Sequence, residues 1–283
     1  MWGGLPWEPL QRALMCAPKP WEASASAWAD RGYPRARRSQ QAIREHRFFR
    51  QILAEQGVDV LLMETPPPQA VDACYTCDPV LLLPQGAVIV RMGKESRRSE
   101  TTYMREQLLA IQVPIVATLT APATLEGGDC VWLSRNTLAV GIGHRSNMAA
   151  VEQLRVLLPF VEVLAIPLPV DGGPTACFHL GSIISMLGPD LALVYASLLP
   201  SVLRKELETR GIATVECVPD EFDTQACNVL CTAPYRVVMV DGNPQTKARL
   251  QACDVIVTGV PGDELMVLGT GGPTCLVQSL LRG

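Results

Sequence analysis

The chain has 283 residues, of which 48% are hydrophobic and 18% charged; this excludes a disordered tail and allows a substantial core. Lys and Arg total 24 against 28 Asp and Glu, so there is no basic footprint for nucleic acid. No apolar run reaches the roughly 18 residues a membrane span needs, and the N-terminal residues lack the basic-then-apolar order of a secretory signal. The ten cysteines are scattered through apolar runs. Without a secretory signal they read as core thiols of a cytoplasmic protein, with at least one available for chemistry.

In chain order, residues 10–17 read as a strand, 39–56 as a helix and 58–63 as a second strand. The insert at 18–38, with Pro, Ser, Ala and two Trp, reads as a loop or lid. The same succession then returns. Strands are expected at 87–93, 137–143, 191–197 and 236–242, starting about 45–54 residues apart, which is a repeat-scale period. Helices follow at 99–111, 147–158, 200–210 and 244–252, and second strands at 114–119, 161–168, 213–219 and 254–260. The helix at 147–158 is the cleanest, with Val151, Leu154, Leu157 and Leu158 on one face.

Between each second strand and the next first strand lies a further segment: 70–83, 123–134, 175–187, 223–232 and 266–282. Five units of this ββαβ type make a closed, pseudo-fivefold α/β propeller spanning 1–283 as one catalytic domain. Its final strand, 276–282, would pair with 10–17 and remove an exposed edge. An open α/β sheet of βαβ units is the alternative.

The connecting segments carry most of the reactive side chains. They hold Asp72 and Asp78, then Glu126-Gly127-Gly128-Asp129, then Phe178-His179-Leu180, then Asp223 and Asn228, and last Gly271-Gly272-Pro273-Thr274-Cys275. In a ring these positions converge on the axis, so one Cys, one His and several carboxylates would share a pocket. A thiol needs a base or a cation to become a nucleophile, a His serves as general acid and base, and a carboxylate orients it. The additional carboxylates suit a planar guanidinium, whose fork of N–H donors matches them.

Each residue also has a plainer reading. Cys275 could be one more core thiol, and His179 a satisfied core imidazole. Glu126 to Asp129 could be a turn with solvated ends. His46 falls on the polar side of a charged helix and is expected in solvent, whereas His144 sits in a loop beside Arg145. Cys74 and Cys77 form a lone Cys-x-x-Cys with no second pair at metal spacing, so no metal site is expected. The glycine run at 269–272 lacks the ending of a phosphate loop.

Taken together, these motifs resemble the guanidino-group-modifying superfamily, which includes arginine deiminase, amidinotransferases and dimethylarginine dimethylaminohydrolase. The resemblance runs from Leu14-Met15-Cys16-Ala17-Pro18 to Cys275. Its anchors are Asp78, Arg97-Arg98, Glu126 to Asp129, Gly143 to Asn147, Phe178-His179-Leu180, Cys227-Asn228-Val229 and Gly271 to Cys275. It implies a five-bladed propeller with Cys275, His179 and Glu126 as catalytic residues. Asp78, Asp72, Arg97, Arg145 and Asp129 would bind substrate, with Arg98 the alternative to Arg97 as a carboxylate ligand. No cofactor is implied, the partner is a small guanidino substrate, and a homodimer is compatible with it.

Two departures bear on the subfamily. Gly181 stands where bacterial deiminases carry a substrate-binding Asp, which favours alkylated guanidines. Cys77 stands where dimethylargininases often carry Glu. Nω-methylarginine hydrolysis is the first expectation. Arginine deiminase or dihydrolase activity follows, then amidinotransfer, and last a scaffold without chemistry.

Overall fold

The computed structural model describes residues 1–21, 23–67, 70–169 and 178–283. Residue 22 of the expected lid and residues 175–177 of the third connecting segment lie outside them. The strands form five three-stranded sheets. One combines β1 (Leu10–Met15), β2 (Asp59–Leu62) and β15 (Gln278–Arg282). The others are β3 (Val80–Leu83), β4 (Gly86–Ile89) and β5 (Ile115–Thr118); β6 (Cys130–Ser134), β7 (Thr137–Ile142) and β8 (Glu162–Pro167); β9 (Ile184–Met186), β10 (Leu191–Val194) and β11 (Ala213–Glu216); and β12 (Leu230–Ala233), β13 (Arg236–Val240) and β14 (Ile256–Val260).

Every sheet has the same plan. The middle strand pairs antiparallel with one neighbour and parallel with the other across a helix; the antiparallel partners are joined by a short turn in four sheets, and in the fifth they are β1 and β15. A parallel pair cannot be joined by a hairpin, so each repeat needs a helical crossover. The crossovers are α2 (Ser39–Glu55), α3 (Arg98–Ala110), α4 (Met148–Leu157), α5 (Ser201–Thr209) and α6 (Pro244–Gln251). The expected pairing of the chain's two ends is present, with Ala13 opposite Ser279 and Leu14 opposite Gln278. The first and last segments therefore share one sheet, and the five-repeat propeller describes the fold.

β3 and β4 are buried along their whole length, so they read as continuous apolar runs rather than alternating ones. Hydrophobic clusters join neighbouring sheets. One packs Leu81, Val88 and Val90 against Leu138, Val140 and Leu154, and another packs Ala13 and Phe49 against Val238 and Val260. Gly86, at φ 145°, closes the β3–β4 turn where a Cβ would lie 2.3 Å from the Pro114 carbonyl oxygen. No other residue fits there.

Three expectations are corrected. His46 is buried on the inward face of α2 beside Ala42, Glu45, Phe49 and Leu53. Burial and then Arg50 push it down to about 4, so it is neutral. Leu157 is 38% exposed, because α4 turns its inward face through Val151 and Leu154 and ends at Leu157. The segment at 18–38 is not loop throughout. It contains α1 (Ala25–Ala29), capped by Ser24, and Trp28 packs with Tyr33 and Val71. Arg35 and Arg38 tie the end of that segment to the buried carboxylate of Glu264.

Phe49 is fully buried between α2 and the sheets of the first and last repeats. Phe49→Ala should lower stability by about 3–5 kcal/mol, read as a shift of the urea unfolding midpoint with an unchanged slope.

Candidate active site

The segments that enter the inner strands meet at the axis and are held in contact by glycines. After β5, residues Gly127–Asp129 form a single tight turn. Gly127 donates its N–H to the Asp78 carbonyl at 2.8 Å. A Cβ at Gly128 would lie 2.6 Å from His179 Nδ1 and 2.8 Å from Asp78 Oδ1. Glycine is needed there because a backbone, an imidazole and a carboxylate converge on one point.

His179 opens the turn Leu180–Ser182. Its Nε2 lies 2.7 Å from Glu126 Oε2, and its Nδ1 lies 3.8 Å from Asp78 Oδ1. All three residues are buried. Glu126 also accepts the Lys94 backbone N–H at 2.9 Å and faces Arg145 Nη1 at 3.3 Å. Burial alone would raise its carboxyl, but the His179 hydrogen bond and charge, then Arg145, hold it well below the usual carboxylate range.

Cys275 follows the turn at 269–274. Asn228 Nδ2 donates to its Sγ at 3.2 Å, and Asn228 Oδ1 accepts the Thr274 N–H. Cys275 and His179 both line a cavity of about 90 Å3, together with Gly128, Gly181, Asn228 and Arg282. β6, β9, β12 and β15 all contribute lining residues, which places this cavity on the axis. Cys77 and Cys231 line it too. Burial pushes their thiols up, to about 12 and about 11, and a protonated thiol is a poor nucleophile.

A second cavity of about 240 Å3 is lined by Arg31, Tyr33, Asp72, Lys94, Arg97 and Arg145, among others. Asp78 and Glu126 line neither cavity, but each meets His179, which lines the axial one, and an arginine that lines the outer one, Arg97 for Asp78 and Arg145 for Glu126. Arg97 is buried. It bonds Asp78 Oδ2 at 2.6 Å, Glu100 Oε2 at 2.8 Å, and the carbonyls of Asp72 and Tyr75. Arg98 points the other way, to Glu95 at the surface. Asp72 accepts Tyr33 Oη at 2.7 Å and Lys94 Nζ at 3.3 Å. Its carboxyl stays low, because Lys94 and then Arg97 outweigh a large burial effect.

The structure thus brings His179, Glu126 and Asp78 together, places Cys275 on the same cavity as His179, and sets Asp72, Arg97 and Arg145 around the outer cavity. Asp129, like Asp78 and Glu126, lines neither cavity. Its Oδ1 accepts the Leu180 N–H at 3.0 Å and its Oδ2 the Ser146 hydroxyl at 2.5 Å, so both oxygens hold the His179 turn. Cys74 and Cys77 face different surroundings: Arg37 donates to Cys74, whereas Cys77 lines the axial cavity. His144 is exposed.

Among the described residues, donor atoms of Asp78, Glu126 and His179 lie within 4.8 Å of one another. This donor set suits a hard cation, but Arg97 and Arg145 already bond its two carboxylates, and their charges oppose a further one.

Lys94, Tyr33 and Glu100 are not singled out by the sequence, and Ser146 enters it only within the Gly143 to Asn147 motif. Lys94 had one usable signal. It follows Gly93 at the end of the β4 run, the repeat equivalent of His144 after Gly143, and a Cβ at Gly93 would lie 2.3 Å from the Arg145 carbonyl.

Five ββαβ repeats around an axial Cys, His and Glu define an α/β propeller of the guanidino-modifying class. The family model described as N,N dimethylarginine dimethylhydrolase, eukaryotic, matches residues 26–282, and the chain belongs to that family. Among curated proteins it is similar to arginine deiminase of Staphylococcus haemolyticus, at 27% identity over 255 residues. That match covers 74% of this chain and 61% of the deiminase, so the chain spans under two thirds of that relative's length. Among solved structures it is similar to a cysteine-to-serine variant of DDAH from Pseudomonas aeruginosa complexed with citrulline (TM-score 0.77, 21% identity, covering 97% of this chain and 100% of that one). It is likewise similar to the N-terminal domain of ArgZ covalently bound to a reaction intermediate (TM-score 0.82, 20% identity, covering 96% and 98%). No helix among the described residues is long and apolar enough to cross a membrane.

Two outcomes are expected. Gly128→Ala should displace His179 from Asp78 and Glu126, lowering kcat at least about 100-fold, the order set by loss of positioned acid–base catalysis, while circular dichroism stays native. Burial raises the Asp129 carboxyl to about 6 from 3.8, so the native state holds its proton longer than the unfolded chain does. Stability from this group therefore falls as pH rises through about 4 to 6, by about 3 kcal/mol at most. His46 acts with the opposite sign in nearly the same window, since its folded value is the depressed one. The slope is accordingly read as the difference between wild type and Asp129→Asn in urea unfolding at pH 4, 5, 6 and 7. Asp129→Asn should gain relative stability with rising pH.

Proposed function

We propose that the protein is a cytoplasmic amidine hydrolase that converts Nω-methylated arginine and water to citrulline and methylamine or dimethylamine. The observation that carries this reading is a cavity shared by Cys275 and His179, with the imidazole bonded to buried Glu126. Cys275 passes its thiol proton to His179 and attacks the guanidinium carbon as the thiolate. Asn228 supplies an N–H to the sulfur, and the cationic substrate favours the thiolate. Asp78 and Glu126 orient the guanidinium, in addition to their arginine partners. His179 gives a proton to the leaving amine, and the carbon–nitrogen bond breaks to leave an S-alkylthiouronium on Cys275. His179 then takes a proton from water, which adds to the same carbon. The carbon–sulfur bond breaks, leaving a ureido product and restoring the thiol.

Gly181 supports the methylated substrate over free arginine. It lines the axial cavity, so no carboxylate from that position grips an unsubstituted nitrogen, and a methyl group has room. The matched family description names the methylated substrate as well. Hydrolysis of arginine itself is the second reading, favoured by the similarity to arginine deiminase.

The test compares arginine, Nω-monomethylarginine and asymmetric dimethylarginine, assaying ureido product, ammonia and alkylamine. Alkylamine release is expected, with Cys275→Ser slower by about 1,000-fold or more, as for removal of a covalent nucleophile. Faster ammonia release from arginine than alkylamine release from the methylated forms selects the deiminase reading. Undiminished turnover by Cys275→Ser removes the mechanism.

A further inference from the structure

Among the described residues, Cys77, Cys130, Cys231 and Cys275 all line the axial cavity. The reaction uses only Cys275. Cys130 and Cys231 sit within β6 and β12, where their backbones are paired to Val140 and Val237. Cys77 differs, because it lies in the turn that enters β3, as Cys275 lies in the turn that enters β15. The Cys77 N–H donates to the Cys275 carbonyl at 3.2 Å. A backbone bond of this kind holds two Cα atoms about 5.5 Å apart, inside the roughly 4.4–6.8 Å that a disulfide spans. Cys275 keeps part of its surface exposed, within reach of a molecule the size of hydrogen peroxide.

The two thiols are chemically unequal, which gives them different roles. Asn228 Nδ2 donates to the Cys275 sulfur and favours the thiolate there. The thiolate is the form that peroxides oxidise. Burial, and then the neighbouring Asp78 carboxylate, push the Cys77 thiol up to about 12. Cys77 therefore stays protonated and is a poor first target for an oxidant. A sulfenic acid on Cys275 is different, because its sulfur is already electrophilic and accepts attack from a neighbouring thiol.

We propose that Cys77 is the resolving thiol of Cys275, so that a peroxide converts the pair to a Cys77–Cys275 disulfide that blocks the nucleophile reversibly. In the first step the Cys275 thiolate attacks one peroxide oxygen. The O–O bond breaks, the sulfur becomes a sulfenic acid, and the other oxygen leaves as hydroxide. In the second step the Cys77 sulfur attacks the Cys275 sulfur. The S–O bond breaks, and the departing hydroxide takes the Cys77 proton to form water. One peroxide thus removes two electrons from the pair and needs no second oxidant. The bridge joins the first and fifth connecting segments where their backbones already touch, and exchange with a small thiol opens it again. It requires only the two sulfurs, so it stands apart from the choice of substrate.

The experiment treats the folded, reduced protein with a small molar excess of hydrogen peroxide, labels the remaining thiols with iodoacetamide, and maps the peptides by mass spectrometry without reduction. Wild type should lose about 2 Da and yield a cross-linked pair of peptides containing Cys77 and Cys275. Labelling of Cys275 should fall at least about tenfold and return after dithiothreitol. In Cys77→Ser and Cys77→Ala the sulfenic acid lacks its partner. Cys275 should then advance to the sulfinic acid, about 32 Da heavier, and dithiothreitol should not restore its labelling. Circular dichroism checks that each variant is folded, and the wild-type map decides alone if neither is. Three results overturn the inference: a sulfinic Cys275 in wild type without the cross-link, a bridge from Cys275 to any other cysteine, or recovery of labelling in the Cys77 variants equal to that of wild type. Every readout is made on sulfur with no substrate present, so failure of the amidine-hydrolase reading shows separately, as absent turnover of the arginine compounds.

Discussion

The architecture around the axis depends on one requirement: several carboxylates are buried together, and each must find a cation. Asp72, Asp78, Glu100 and Glu126 are all at most 3% exposed. Unpaired, they would cost several kcal/mol apiece or take up protons. Lys94, Arg97 and Arg145 answer them from two different repeats, and His179 joins from a third. Glu100 shows how narrow the balance is. Burial lifts its carboxyl to about 7 even with Arg97 beside it. Glu126, with both His179 and Arg145, stays ionised.

That network explains the glycines. Charges gathered at an axis are effective only at short range, so the backbones carrying them must touch. Gly93 against Arg145, Gly127 against Cys77 and Gly128 against His179 are the contacts that permit it. The positions are fixed before a ligand arrives. Such preorganisation lets fixed dipoles and charges act on a transition state without the cost of reorienting them. Asp129 extends the same logic by one layer, since it holds the Leu180 N–H and the Ser146 hydroxyl.

The two cavities divide the labour. The axial one has the thiol, the imidazole and mostly apolar walls, and suits bond making and breaking. The outer one is charged and partly roofed by residues 31–33, and suits recognition.

The repeats were legible because strands buried on both faces leave apolar runs, and because helical crossovers recur at a fixed period. The reactive residue types were legible too, since Glu126, His179 and Cys275 fall in the second, third and fifth connecting segments. Sequence spacing could not say which neighbouring arginine turns inward. Arg97 ends a tight turn and Arg98 starts α3, so their side chains diverge, and only the packing of that turn on Asp78 and Glu100 decides between them. Nor could it show that Asp129 holds the His179 turn, or that Lys94 sits on Asp72. Local periodicity determines which face of an element is buried. What a buried charge meets there is settled by segments 19 to 53 residues apart in sequence coming together, which no periodic pattern encodes.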